Sequence, residues 1–190
     1  MALIRSLPET AHLADLFGRF PNGMAALMSF IDSVMREESP LTVGERELIA
    51  TYVSSLNACT FCAGSHEIYA EAFGIEEGLV AALLDDIDSA PVEDKLKPLF
   101  HYVKKLTVLP SKLVQRDADA VYDAGWDDEA LYSAIQVCGL FNMMNRLVEG
   151  SGVNFDYADD ASGHPVSKPG FDPDAHTYAS FGKRVAARSG

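Results

Sequence analysis

Apolar residues recur at three- and four-residue intervals along most of this chain, and this spacing is the feature that most constrains its fold. The clearest example follows Asp127, where apolar residues continue at helical spacing as far as Leu147. No segment alternates apolar and polar residues as a half-buried strand does. The sequence therefore predicts an all-α fold, and 190 residues with 48% hydrophobic composition suffice for one domain with its own core.

Several helix ends are marked by capping residues. Thr42 and Glu45 have the spacing of a capping box, which predicts a helix that begins just after Thr42. Asn57 is predicted to be a cap or turn residue at the start of the next helix, which Gly74 would end because glycine adopts the left-handed conformation at helix C-termini. Asp127 or Asp128 is predicted to cap the long apolar helix near the end of the helical part.

The composition changes near residue 154. From Asn154 onward Gly, Pro, Asp and Ser predominate, and aromatic residues occur without helical spacing. This change predicts a helical domain over 1–153 and an extended C-terminal arm over 154–190. Because disordered tails usually lack aromatic residues, we expect the arm to pack on a neighbouring subunit.

The charge balance excludes two classes of partner. A net charge of −13 and a pI near 4.6 argue against binding to nucleic acid or to anionic membranes, since both require clustered Lys and Arg. No apolar run approaches the ~18 residues of a membrane span, and the N-terminus lacks the pattern of a signal peptide. We therefore expect a cytoplasmic protein.

The segment from Glu47 to His66 contains the candidate chemistry. Cys59 and Cys62 are three residues apart, a spacing that brings two side chains together on a helix within reach of a disulfide. His66 lies one turn beyond Cys62 on the same face, and an imidazole is well suited to take the proton of a thiol. Two thiols and a base on one face predict redox chemistry.

The residues alone leave alternatives open. Cys59, Cys62 and His66, with Glu47 as a fourth ligand, also match the donor types of a zinc site, and paired cysteines can be plain core residues. Which thiol attacks is undecided, because Cys59 lies nearer the helix N-terminus whereas Cys62 has His66 one turn away. Cys138 lies among apolar residues and is predicted to be core.

With these residues in view, the chain resembles the alkylhydroperoxidase AhpD-like proteins of the carboxymuconolactone decarboxylase superfamily, and more closely their peroxidase-related branch. Glu47, Cys59, Cys62 and His66 carry the resemblance, together with VSSLN at 53–57 and FNMMNRL at 141–147. It implies an AhpD-like helical bundle that associates into trimers or hexamers, and a hydroperoxide reductase. In that scheme Cys62 becomes a sulfenic acid, Cys59 resolves it to a disulfide, and Glu47 and His66 relay protons.

The resemblance also implies an external reductant and leaves other functions open. No GxGxxG motif follows a strand, so we expect no flavin or nicotinamide cofactor and instead a dithiol donor such as a lipoylated or thioredoxin-like protein. Phe61 stands where the best-studied members have a histidine. The alternatives are a redox-sensing or non-catalytic oligomer of the same fold, or a carboxymuconolactone decarboxylase-like enzyme, whose family members proper lack the CxxC pair.

Overall fold

The computed structural model describes residues 1–173 and 175–188, and all regular structure in this part is helical. The predicted all-α fold is confirmed. Three short 3₁₀ turns, Asp94–Leu96, Pro110–Lys112 and Pro165–Ser167, lie between the helices. The α-helices of the described part are α1 Leu13–Arg19, α2 Met24–Met35, α3 Val43–Leu56, α4 Thr60–Ala72, α5 Leu79–Asp85, α6 Lys97–Val108, α7 Gln115–Asp123, α8 Asp128–Ser151 and α9 Tyr178–Arg188.

Helix α3 lies at the centre of the bundle. It packs against α4, α5, α6 and α8, and every residue from Arg46 to Ser54 is buried. A helix buried on all sides has to satisfy its polar side chains internally. Thr51 does so by donating its hydroxyl proton to the Glu47 carbonyl oxygen at 2.9 Å. The charged residues of this stretch, Arg46 and Glu47, are therefore held in the interior of the protein.

The connection between α3 and α4 positions the cysteines. The predicted capping box is confirmed, since the Thr42 and Glu45 side chains each accept a backbone N–H of the other residue. Of the two roles predicted for Asn57, cap or turn residue, the structure shows the turn, because Asn57 ends α3 and Cys59 is the N-cap of α4. Ala58 turns the chain with a φ of 54°, a left-handed conformation that costs a non-glycine residue roughly 1 kcal/mol. The link between α3 and α4 is so short that Cys59 itself takes the N-cap position of α4.

Helix α8 forms the second long wall of the bundle. Of the two predicted caps, Asp127 and Asp128, it is the Asp127 side chain that caps α8 by accepting the Ala130 N–H at 2.9 Å. Asn145 of α8 donates to the Ser54 hydroxyl at 3.0 Å, and Asn57 donates to Asn145 at 2.9 Å, so the end of α3 is tied to α8 by buried amides. No described helix combines the length and the apolar character needed to cross a membrane.

The described part of the C-terminal arm folds back onto the helical domain of its own chain. Helix α9 packs on α2 and α1, and a Cβ on Gly182 would lie 2.9 Å from the Met28 Cγ, so the helices approach closely there. The Asp32 carboxylate of α2 accepts the backbone N–H groups of Tyr178 and Ala179 at 2.6 and 2.9 Å, which fixes the start of α9. Packing of the arm on a neighbouring subunit stays a prediction.

Candidate functional site

The two cysteines of the CxxC motif lie at the start of α4. Cys59 is the N-cap and Cys62 is in the first turn, and both are reduced thiols. The first amide N–H groups of a helix lack intrahelical partners and carry the positive end of the helix dipole. This position favours a thiolate over a thiol.

The two thiols differ in access, and Cys59 is the more deeply placed of the two. Cys62 lines a cavity of about 520 Å³, whereas Cys59 is fully buried and does not line it. The hydrogen bond with Cys62 raises the pKa of the Cys59 thiol, and burial raises it further. Cys59 is therefore held protonated behind Cys62. The sulfur that a molecule in the cavity can reach is that of Cys62.

His66 and Glu47 form a buried pair next to the thiols. His66 lies one turn after Cys62 on α4 and lines the same cavity. Its Nδ1 lies 2.5 Å from the Oε2 of Glu47, which is fully buried on α3. The packing of α3 against α4 thus brings all four predicted site residues, Glu47, Cys59, Cys62 and His66, into one region.

Glu47 is held ionised by its partners. Burial alone raises the pKa of the Glu47 carboxyl, but His66 and Arg36 outweigh burial and lower it to about 2. Arg36 Nη2 donates to Oε1 at 2.5 Å, and the Tyr178 hydroxyl donates to the same oxygen at 3.2 Å. A buried carboxylate is tolerated when its charge is paired and its lone pairs are used in this way.

Arg36 and Tyr178 are site residues that sequence reasoning missed. The Arg36 guanidinium lies 4.9 Å from the Tyr178 ring centroid and 5.0 Å from that of Phe73, an arrangement that stabilises a desolvated cation. Tyr178 reaches Glu47 only because Asp32 anchors the start of α9. The aromatic residues of the arm were the available signal for Tyr178, whereas no motif marks Arg36.

The cavity beside Cys62 is lined mainly by apolar side chains. The His66 ring contacts the Phe141 ring edge to face at 4.4 Å, which fixes the plane of the imidazole. Such a lining excludes water from the reacting sulfur and favours an apolar molecule. Residues that give the cavity this character include Met28, Ile31, Phe141, Met144, Phe155 and Phe181.

The structure also shows where Cys138 lies and how the possible zinc ligands are arranged. Cys138 is fully buried in the core, as predicted, and its sulfur lies 3.3 Å from the Thr107 hydroxyl rather than in the cavity. The donors considered for zinc do not converge, because His66 and Arg36 occupy the two oxygens of Glu47. Among residues 1–173 and 175–188, no group of three or more His, Cys, Asp or Glu side chains is arranged to hold a metal ion.

Part of the chain matches a known protein family. Residues 21–92, which include α3 and α4, match the carboxymuconolactone decarboxylase family. Among curated proteins no sequence matches this chain.

Two solved structures have a similar fold. One is described as the alkylhydroperoxidase AhpD core, an uncharacterized peroxidase-related protein from Ralstonia eutropha JMP134, with a TM-score of 0.69, 19% identity and 74% of each chain covered. The other is an uncharacterized peroxidase-related protein from Silicibacter sp. TM1040, with a TM-score of 0.68, 24% identity and 74% of this chain and 73% of that chain covered. Residues 21–92 are thus similar to the carboxymuconolactone decarboxylase family, and the predicted AhpD-like fold is confirmed.

Proposed function

We propose that this protein is a thiol-dependent hydroperoxide reductase in which Cys62 attacks the peroxide, Cys59 resolves the product and His66 with Glu47 moves the proton. One observation carries the proposal: Cys62 and His66 line the same cavity, and His66 is backed by a buried, ionised carboxylate. This arrangement matches the general logic of an activated nucleophile, in which a base next to the nucleophile is oriented by a third group.

The Glu47 carboxylate determines which nitrogen of His66 acts as the base. An ionised carboxylate only accepts hydrogen bonds, so the Nδ1 of His66 carries the proton of the short contact with Glu47. Nε2 is then the nitrogen that takes the proton from the Cys62 thiol. The imidazolium that results is stabilised by the Glu47 charge, while Arg36 and Tyr178 keep that carboxylate in place.

The oxidative half of the cycle is balanced by these groups. The Cys62 thiolate attacks the terminal oxygen of R–O–O–H, the S–O bond forms, and the O–O bond breaks with its electron pair on the RO oxygen. The proton on His66 passes to that oxygen, so an alcohol leaves and Cys62 becomes a sulfenic acid. The Cys59 thiol then attacks the Cys62 sulfur, and a Cys59–Cys62 disulfide and water are formed.

The cavity favours an organic hydroperoxide. Burial of an apolar R group among aromatic and aliphatic side chains contributes roughly 25 cal/mol per Å², whereas hydrogen peroxide has no such group to bury. A cavity of about 520 Å³ is large enough for a compact aryl or branched alkyl group. We therefore propose a preference for apolar hydroperoxides.

An external dithiol completes the cycle in this proposal. Its thiolate attacks the Cys62 sulfur, because Cys62 lines the cavity and Cys59 does not, and the Cys59 thiolate leaves. The second thiol of the donor then releases Cys62. A lipoyl group, which is long and narrow, fits such access better than the surface of a thioredoxin-like protein. Assembly into trimers or hexamers stays part of the proposal.

The test is a turnover assay with cumene hydroperoxide and dihydrolipoamide. We expect many catalytic cycles per subunit, faster consumption of cumene hydroperoxide than of hydrogen peroxide, and a Cys59–Cys62 disulfide by mass spectrometry when the dithiol is omitted. Slow oxidation that stops after one equivalent would instead support a redox sensor of the same fold. Absence of any thiol oxidation would contradict both functions.

A further inference from the structure

A second hydrogen-bonded network lines the cavity, separate from the Glu47–His66 pair. It joins His12, Ser65, Tyr157 and His164, which come from three separate parts of the chain: the N-terminus, α4 and the arm. His12 Nε2 lies 2.8 Å from the Tyr157 hydroxyl, and the Ser65 hydroxyl lies 3.2 Å from His164 Nε2. The Tyr157 and His164 rings contact each other at a centroid distance of 5.1 Å, which places the two hydrogen bonds side by side. His12, Ser65 and Tyr157 all line the cavity that Cys62 lines.

The two histidines both act as donors in this network. The Nδ1 of His12 accepts the Ala14 N–H at 3.0 Å, so its Nε2 carries the proton and donates to the Tyr157 oxygen. The Nδ1 of His164 accepts the Val166 N–H at 3.3 Å, so its Nε2 donates to Ser65. His164 is fully buried, and burial lowers its pKa to about 4, which keeps the ring neutral.

The hydroxyl protons of Ser65 and Tyr157 are then left over. The oxygens of Ser65 and Tyr157 each accept a hydrogen bond from a histidine. Within the described part of the chain, no hydrogen bond uses either O–H as a donor. Since both side chains line the cavity, these two protons are available to a bound molecule.

These donors lie near Cys62. Burial raises the pKa of Tyr157 to about 12, and the Cys62 sulfur contributes to this increase. The Tyr157 ring lies 5.4 Å from that of Phe61, the residue directly before Cys62, and the His12 ring contacts Phe61 edge to face at 5.0 Å. A Cβ on Gly64 would lie 3.3 Å from that of Tyr157, so the arm fits tightly against α4.

We propose that the Ser65–Tyr157 pair, held by His12 and His164, supplies a neutral hydrogen bond to the leaving oxygen of a hydroperoxide that reacts at Cys62. This inference rests on the proposed function. When the O–O bond breaks, its electron pair moves to the RO oxygen. The hydroxyl of Ser65 or Tyr157 then donates a hydrogen bond to that oxygen while His66 delivers the proton. The chain thus has a donor beside Phe61, although Phe61 itself has none. Donors aimed at a developing oxyanion accelerate such reactions by about 10²–10³-fold.

The proton count predicts a non-additive response to mutation. Tyr157→Phe leaves the Ser65 O–H free, and Ser65→Ala leaves the Tyr157 O–H free, so each single variant keeps one donor. The double variant has none. We expect the second-order rate constant for Cys62 oxidation by cumene hydroperoxide to fall less than about fivefold in each single variant and about 100-fold in the double variant.

Alkylation of Cys62 by iodoacetamide separates this role from a structural one. Iodide leaves without a donor to oxygen, so we expect the alkylation rate of the double variant to equal that of the wild type. A matched control, Tyr132→Phe with Ser29→Ala, removes the same two hydroxyls from exposed positions outside the cavity and should leave both rates unchanged.

Three results would overturn the inference. The first is an unchanged oxidation rate in the double variant, and the second is an equal loss of the oxidation and alkylation rates in that variant. The third is a 100-fold loss of the oxidation rate in either single variant. This third result tests the number of donors even if the double variant does not fold. If wild-type Cys62 fails to react with hydroperoxides at all, the proposed function fails and the inference with it. If the wild type reacts and the double variant reacts equally fast, only the inference fails.

Discussion

The two polar networks on the cavity beside Cys62 differ in charge. One consists of Glu47, His66, Arg36 and Tyr178 and contains a carboxylate whose pKa is lowered to about 2. The other is built on Ser65 and Tyr157, with neutral rings and hydroxyls throughout. A group that takes up a proton in a dry site needs a fixed countercharge, whereas a group that only donates to an oxygen does not. We therefore propose that the charged network transfers the proton and that the neutral network binds the oxygen.

The largest effect is expected from removal of the Cys62 sulfur, because both networks serve its reaction with the peroxide. Cys62→Ser should lower hydroperoxide turnover by at least about 10³-fold, as the loss of a catalytic nucleophile does. Cys138→Ser is the matched control, because Cys138 is equally buried but lies away from the cavity, and it should retain wild-type turnover. Steady-state consumption of cumene hydroperoxide measures both. Equal losses in the two variants would show that burial of a thiol, not its neighbours, determines the result.

The next effect concerns the charged network. Glu47→Gln keeps the shape of the side chain but removes the countercharge of His66, so we expect the rate of Cys62 oxidation to fall by about 10²–10³-fold. The measurement is stopped-flow oxidation with excess cumene hydroperoxide. A rate within threefold of the wild type would place proton transfer outside this pair and remove the distinction between the two networks.

The same carboxylate makes a pH-dependent contribution to stability. The pKa of Glu47 is lowered from 4.5 to about 2 in the folded protein, so this stabilisation is fully present above pH 4.5 and is lost as the pH falls toward 2. The difference in free energy of unfolding between the wild type and Glu47→Gln should therefore shrink by about 2 kcal/mol from pH 5 to pH 3. Urea unfolding at several pH values measures it. A difference independent of pH would contradict an ionised Glu47.

The smallest effect within the charged network is expected from Tyr178 of the arm. Tyr178→Phe removes one of three donors to Glu47 and keeps the ring beside Arg36, so we expect about a tenfold loss in the oxidation rate. Tyr132→Phe removes an exposed hydroxyl from α8 and serves as the control. An unchanged rate in Tyr178→Phe would mean that Arg36 and His66 alone hold the carboxylate.

The CxxC pair with Glu47 and His66 was predictable from the sequence, whereas Arg36 and Tyr178 of the charged network were not. Glu47, Cys59, Cys62 and His66 lie within twenty residues, and helical spacing with the capping box of α3 places them on two consecutive helices. The sequence did not decide between a cap and a turn residue at Asn57, whose side chain here bonds to α8. Local rules do not include such a tertiary contact.

The neutral network could not be predicted in the same way. His12 and Tyr157 are 145 residues apart, and Ser65 and His164 are 99 apart, so no local period links them. The aromatic residues after Asn154 predicted a packed arm, but they did not predict which residues of the chain it contacts. The position of Tyr178, for example, depends on the anchoring of α9 by Asp32, an interaction that only the fold shows.

The central claim is that Cys62 is the sulfur that attacks the peroxide. Its most direct test is mass spectrometry of the Cys59→Ser variant after one equivalent of cumene hydroperoxide in the presence of dimedone, which traps sulfenic acids. The account predicts a dimedone adduct on Cys62 in most of the protein and none on Cys138. Recovery of an unmodified Cys62 thiol, or equal labelling of Cys62 and Cys138, would contradict it.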